Sequence, residues 1–505
     1  MVFPLLGNYF NGKFHANGKL QDSDIILKRH CPADLDTTLW EIPVKYSDVE
    51  KVLQSAKEGF EVWRKVPLEE RIICLQNFKS EVAKRKDEFA RSISLESGKP
   101  LWEAHTEVSS VMSKVDVTIN DSLPRILPKH FDNILPDTNG HIYYRPIGPC
   151  FIIGPFNFPC HLANGQITAA LIAGNSIIFK PSEKTSHCGQ LLIECYAKAG
   201  FPKGVINLIQ GDGEVARRIT KEKMIKGIFF TGSAEVGKNI LSSTYLDFSK
   251  LVALEMGGKN SSIIHKDANL DHCLVEMLKA CFLTTGQRCI STSLVPIHRS
   301  VADSFIEKFH SYAKRLIIDH PIDHEVEPFM GPLVDQHAVD NYLNFMGMAK
   351  REGIQEIMRG KLLEKNFKGH YVSPSIHYTE KFSKKSHFLM SEIFGPNCTF
   401  IPYDEIEEAI AIANGTEFGL AASVFSNDQS VYQKCIQEID AGQVNFNRST
   451  VGASSRLPFG GVKSSGNYRP AALTTIDSCV FQMASLDIVQ FSSEDADKIK
   501  GVGPS

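Results

Sequence analysis

The run TTGQRC, residues 284–289, ends in a cysteine placed for chemistry. An apolar-periodic segment, residues 269–283, leads into this Thr/Gly loop, and the β-rich run STSLVPI follows it. A cysteine at a helix–strand seam, beside Arg288 and the Gly286 backbone, is expected to be partly exposed in an electropositive loop. That setting favours the thiolate, the nucleophilic form. The competing assignment is a small buried hydrophobe, the ordinary fate of one cysteine among twelve. Only its company elsewhere in the chain sets Cys289 apart.

Six further runs could supply that company. ALEMGGKN (253–260) puts Glu255 at an otherwise apolar strand end. A carboxyl there is costly to ionise, so its pKa rises towards the range useful to a general base. The alternative is a structural carboxylate satisfied by the Gly257 and Gly258 amides. GPFNFP (154–159) holds Asn157 between aromatic and proline residues just after a strand. Its amide could donate to an oxyanion, or it could be an ordinary turn residue.

FKPSE places Lys180 and Glu183 at a strand's carboxyl end, where open α/β sheets bind nucleotides. A carboxylate there accepts from both ribose hydroxyls and repels a 2′-phosphate, which favours NAD over NADP; two surface charges capping a helix are the alternative. FTGSAEVGK carries Gly232, Ser233, Ala234, Glu235, Val236 and Gly237 between a strand and a helix. Glycine permits the tight turn, and a helix N-terminus favours phosphate, although the strict GxGxxG spacing is absent. Glu392, in EIFGP, could reach a second ribose, and PFGGVKSSG (458–466) could close over a site.

These residues need a scaffold, and 505 residues are enough for two or three domains. Apolar residues at 43% and charged ones at 22% describe an ordinary globular balance. A formal charge of −3 gives no reason to expect a nucleic acid or an anionic membrane as partner. No apolar run reaches about 18 residues, so no membrane span is expected. The N-terminus has no basic region or cleavage site and reads as part of the mature fold. The cysteines form no CxxC pair, which points to reduced, cytoplasmic thiols and to no metal site.

Periodicity predicts helices over 47–66, from Pro67 to about Arg91, and over 101–119. Pro124, Pro128 and Pro136 then break the rhythm, and the strand-like HIYYRPIG follows, so 122–147 reads as a projecting arm. From 148, short apolar runs alternate with helical patterns of about 10–15 residues, the mark of a doubly wound parallel α/β sheet. The alternation resumes after Gly258 as a second α/β domain. A late strand, 478–485, has no local partner and is expected to pair with the arm or with another subunit.

Taken together, GPFNFP, FKPSE, FTGSAEVG, EMGGK, GQRC, EIFGP, NFN and PFGG occur in the order seen in the NAD(P)-dependent aldehyde dehydrogenase superfamily, which the chain resembles from about residue 7 to about 487. The resemblance implies an NAD-binding domain (1–121 and 148–256), a catalytic domain (257–441) and an oligomerisation arm (122–147 and 474–490). It also implies a return segment (442–473) and a flexible tail (491–505). It implies Cys289 as nucleophile, Glu255 as general base, and Asn157 with the Cys289 amide as oxyanion hole. Lys180 and Glu183 would hold the adenosine ribose, the 232–237 turn would lie by the pyrophosphate, and Glu392 with Phe394 would position the nicotinamide ribose. Family members are usually dimers or tetramers.

The stretch VGASSRLPFGGVKSSGNYRP and MASL (483–486) resemble the branch that oxidises N-succinylglutamate 5-semialdehyde. The chain departs from that branch at Lys259 and Arg448, where Asn and Lys are usual. Such a substrate carries two carboxylates, so Arg288, Arg448, Arg456 and His161 are candidates to hold them. A dehydrogenase of another semialdehyde, a CoA-acylating enzyme and a non-catalytic relative remain alternatives.

Overall fold

The computed structural model describes residues 2–16, 25–488, 499–501 and 503. Five short apolar strands, Cys150–Ile153, Ile177–Lys180, Ile206–Leu208, Gly227–Thr231 and Leu251–Glu255, are almost wholly buried. Strands buried on both faces read as continuous apolar runs because helices cover each face. All five pair in parallel, with 150–153 in the centre, 177–180 and 206–208 on one side, and 227–231 and 251–255 on the other. The N-terminal hairpin Asn8–Phe10 and Lys13–His15 completes the edge in antiparallel register. The chain reverses its direction of winding between 150–153 and 227–231, and a crevice opens at the carboxyl ends of those strands.

A second sheet of seven strands contains Asn260–Ile264, Thr292–His298 and Asn397–Tyr403 at its centre, all in parallel. Its antiparallel member is the edge strand Gln355–Met358. Phe282, Phe305, Phe309 and Phe400 pack beneath this sheet, whereas Trp63, Phe78, Phe89, Phe179 and Tyr196 fill the core on one face of the first.

The N-terminal helices are α1 (Val49–Trp63), α2 (Leu68–Lys84), α3 (Lys86–Ser97) and α4 (Leu101–Val117), and α5 (His161–Ile172) follows the first central strand. The single helix expected from Pro67 to about Arg91 is two. Arg85, at φ −122° and ψ 23°, leaves helical geometry, and its guanidinium bridges Glu88 and Glu194 at 2.7 and 2.8 Å. Gly98, Lys99 and Pro100 then separate α3 from α4, Pro100 being extended with no amide proton to donate. On α4, Glu103, Glu107 and Lys114 are all buried, an uncommon load of charge for one helix interior.

The strand Val480–Ile488 pairs along its whole length with Thr138–Pro146, which also pairs with the fully exposed Lys129–Leu135. Most of the tail 491–505 lies outside the described residues.

Candidate active site

The site is built around the end of a helix. Leu270–Phe282, capped at its start by the Asn269 side chain, gives way to Thr284, Thr285 and Gly286 at φ 54°, 55° and 69°. Left-handed backbone at two consecutive β-branched residues is strained by about 1–3 kcal/mol each and persists only when its surroundings over-determine it. They do. Glu103 accepts the Thr284 amide at 3.2 Å and bonds its hydroxyl, and the Thr285 hydroxyl donates to the Gly331 carbonyl at 2.8 Å. At Gly286 a Cβ would lie 2.3 Å from the Gly395 carbonyl oxygen, so only glycine fits. Gln287 accepts the Val334 amide at 3.0 Å.

Arg288 completes this anchor. It donates to Thr284 Oγ1 at 2.8 Å and to the Glu103 carboxylate at 2.5 Å, and it stacks over Phe158. The guanidinium is therefore neutralised by Glu103, and two expectations need correction. Cys289 does not sit in an electropositive loop, and Arg288 is not a free receptor for a substrate carboxylate.

The loop delivers Cys289 to a cavity of about 1130 Å³ that Glu255 and Asn157 also line. Burial, then the Glu392 and Glu255 carboxylates, push the Cys289 thiol up to about 12 against the pull of Arg288. The expected lowering of this thiol is reversed, because desolvation and two acids outweigh one paired cation. Burial also holds Glu255 well above the usual carboxylate range. One of its oxygens accepts the Ala471 amide at 3.2 Å and the other is buried without a partner. The Gly258 amide donates instead to Glu392 at 3.0 Å. Asn157 donates from its side chain to the Gln287 carbonyl at 2.9 Å and accepts the Phe158 amide at 3.1 Å, which leaves its second N–H uncommitted. A thiol, a buried carboxyl and a fixed amide donor facing one cavity can carry out covalent addition to a carbonyl.

The rest of the cavity runs over the first sheet. Lys180, Glu183, Gly232, Ser233, Val236, Glu392 and Phe394 line it; Ala234, Glu235 and Gly237 do not. Gly237 has a packing reason, since a Cβ there would lie 2.4 Å from the Met256 sulfur. Lys180 is buried, donates to the Pro181 carbonyl at 3.0 Å and stands 3.8 Å from the half-exposed Glu183 carboxylate. Burial raises Glu392 to about 7 and lowers Lys259 to about 7, each charge partly restoring the other. Phe394 is held at φ 55° and meets Phe156 edge-on at 5.9 Å.

These features fit a dinucleotide. Ser233 caps the helix Ala234–Thr244 at the mouth of the crevice, where its N-terminus suits phosphate. Gly257 stays open because a Cβ there would strike the Glu392 carboxylate at 1.9 Å. Among the described residues no group of three or more His, Cys, Asp or Glu side chains could hold a metal ion.

Two predicted arginines lie elsewhere. Arg448 is exposed and donates to the Gly452 carbonyl at 3.1 Å, and Arg456 pairs with Asp121 at 3.0 Å. Neither lines the cavity. His161 begins α5, and burial drives its ring down to about 4, so it is uncharged near neutral pH. Conversely, Gln166, Lys184, His337 and Asn341 line the cavity although no motif marks them. Helical spacing alone could not say which face of 336–351 meets strands far earlier in the chain.

A family signature described as the aldehyde dehydrogenase family matches residues 21–480. The chain is 37% identical to an N-succinylglutamate 5-semialdehyde dehydrogenase of Novosphingobium aromaticivorans over 88% of its own length and 93% of that protein. It is 35% identical to a protein of the same name from Legionella pneumophila over 95% and 94%. Its fold matches the crystal structure of a 1-pyrroline-5-carboxylate dehydrogenase from Thermus with bound NAD, at a TM-score of 0.87 and 26% identity, covering 96% of this chain and 93% of that one.

Proposed function

This chain belongs to the aldehyde dehydrogenase family, and from that premise we propose that it oxidises N-succinyl-L-glutamate 5-semialdehyde to N-succinyl-L-glutamate with NAD, a step of arginine breakdown. The observation that carries the reading is the convergence of Cys289, Glu255 and Asn157 on one cavity that also fits a dinucleotide. The names of the relatives supply the substrate.

Cys289 Sγ adds to the aldehyde carbon, and its proton passes to a base. The oxygen of the resulting thiohemiacetal takes the uncommitted N–H of Asn157 and the Cys289 amide. The dinucleotide, when bound, supplies the hydride acceptor. Glu255, whose burial raises its carboxyl well above the usual carboxylate range and so makes its ionised form a stronger base, then takes a proton from the water that cleaves the Cys289 thioester and frees the acid. Lys180 and Glu183 hold the adenosine ribose, and the Glu183 carboxylate disfavours a 2′-phosphate. Glu392 and Phe394 position the nicotinamide ribose.

We assign 1–121 with 148–256 as the cofactor domain, 257–441 as the catalytic domain, 442–473 as the return segment, and 122–147 with 474–490 as an arm for a homodimer or homotetramer. The exposed Phe131, Phe481 and Leu486 on that arm support assembly. Twelve free cysteines agree with a cytoplasmic enzyme.

NADH absorbance across an aldehyde panel, run with NAD and with NADP, tests the proposal. Succinylated glutamate semialdehyde with NAD should be the most efficient pair. Equal efficiency on the unsuccinylated aldehyde removes the narrow substrate, and no NADH from any aldehyde removes the oxidoreductase.

A further inference from the structure

Five lysines are buried among the described residues: Lys99, Lys114, Lys180, Lys250 and Lys259. Four of them donate to a named oxygen. Lys99 reaches the Glu107 carboxylate at 2.6 Å, and Lys180, Lys250 and Lys259 reach backbone carbonyls at 3.0, 2.8 and 3.2 Å. Lys114 is the exception. It is 1% exposed, and its Nζ has no hydrogen-bond partner. The acid that acts on it, Asp121, is already engaged by Arg456 at 3.0 Å. A buried ammonium with no partner is strongly unfavourable; burial lowers Lys114 to about 8, so it is still charged near neutral pH and an anion beside it would be stabilised.

Its position shows which anion. Lys114 packs from α4 against α5, where its Cε lies 3.3 Å from the point a Cβ of Gly165 would occupy. Leu162 and Gln166, which flank Gly165 on α5, line the cavity that holds Cys289. Gly165 itself is half-buried and carries no side chain. One turn earlier on the same helix face, His161 also has a buried ring nitrogen, Nδ1, without a partner. The ring is kept neutral by burial and by the nearby Lys114 and Lys99, so it offers a polar contact without a second charge.

The geometry points to Lys114 as the receptor for a carboxylate of the substrate remote from its aldehyde, reached over Gly165 with His161 beside it. This rests on the reading of the chain as a dehydrogenase of a carboxylated semialdehyde, and it replaces the arginines as the source of that preference. A single buried cation selects an anion because an uncharged aldehyde leaves it unpaired.

The test compares kcat/KM for N-succinylglutamate semialdehyde with that for propanal, in the wild-type enzyme and in Lys114→Met. The preference for the anionic aldehyde should fall by about tenfold to a hundredfold in the variant. Lys114→Arg, which retains the charge, should recover part of it. The inhibition constant of N-succinylglutamate against propanal oxidation should rise by a similar factor; Lys114→Gln serves for that measurement if the Met variant does not fold. A preference and an inhibition constant that both stay at wild-type values overturn the assignment of Lys114 and leave the substrate reading standing. A wild-type enzyme with no preference for the anionic aldehyde overturns both.

Discussion

The Glu103 carboxylate accepts the Thr284 amide at 3.2 Å across 181 residues of sequence. It belongs to α4, and one turn further on Glu107 accepts the Cys160 and His161 amides at 3.0 and 3.1 Å. One helix therefore grips both the loop that carries Cys289 and the turn that carries Asn157. The separation of thiol and amide donor is set by the spacing of two carboxylates on α4, so Glu103 is a positioning residue. Glu103→Gln should lower kcat by about a hundredfold, as a displacement of roughly 1 Å does, while the affinity for NAD stays unchanged. Titration of NAD by protein fluorescence beside steady-state kinetics checks the split, and equal loss in both would mean general damage.

Asn157→Ala should lower kcat by about a hundredfold to a thousandfold, the usual effect of removing one oxyanion donor. On the proposed mechanism the Cys289 amide is the second donor, so activity should persist at that reduced level. Steady-state rates decide this; a variant within threefold of wild type would leave Asn157 a turn residue.

Glu255→Gln should cut turnover by about a hundredfold to ten-thousandfold while leaving the first, single-turnover release of NADH. It should also be stabilising, in a pH-dependent way. The folded pKa of Glu255 is raised, so across the window above the ordinary carboxylate value the native state holds a proton that the unfolded chain has lost, and stability falls as pH rises. The Gln variant has no such group. Its melting temperature relative to wild type should climb as pH rises above the ordinary carboxylate value, as read by calorimetry, and a constant difference would refute the burial argument.

Alkylation of Cys289 in the cofactor-free enzyme should be slow at pH 7 and should still be accelerating at pH 9, because the thiol is pushed up to about 12. Iodoacetamide labelling followed by mass spectrometry gives the rate at each pH. A plateau below pH 8 would show that the thiol is activated without any ligand.

What was legible in the chain by itself is local. Alternating apolar runs and helical stripes specify parallel strands buried on both faces, because each such strand needs cover above and below. The Thr/Gly loop of TTGQRC marks a seam between helix and strand just ahead of Cys289, and Glu255 ends an apolar strand, a setting in which a carboxyl is costly to ionise. The pairing of charges was not legible. That Arg288 answers to Glu103, that Arg456 answers to Asp121 and that Lys114 is left without a hydrogen-bond partner depend on contacts between helices and loops distant in sequence. Electrostatic energy depends on distance and burial, and only the packed structure has those. The same cause reversed the expectation for Cys289, whose nearest residue in sequence is a cation but whose neighbours in space include two acids.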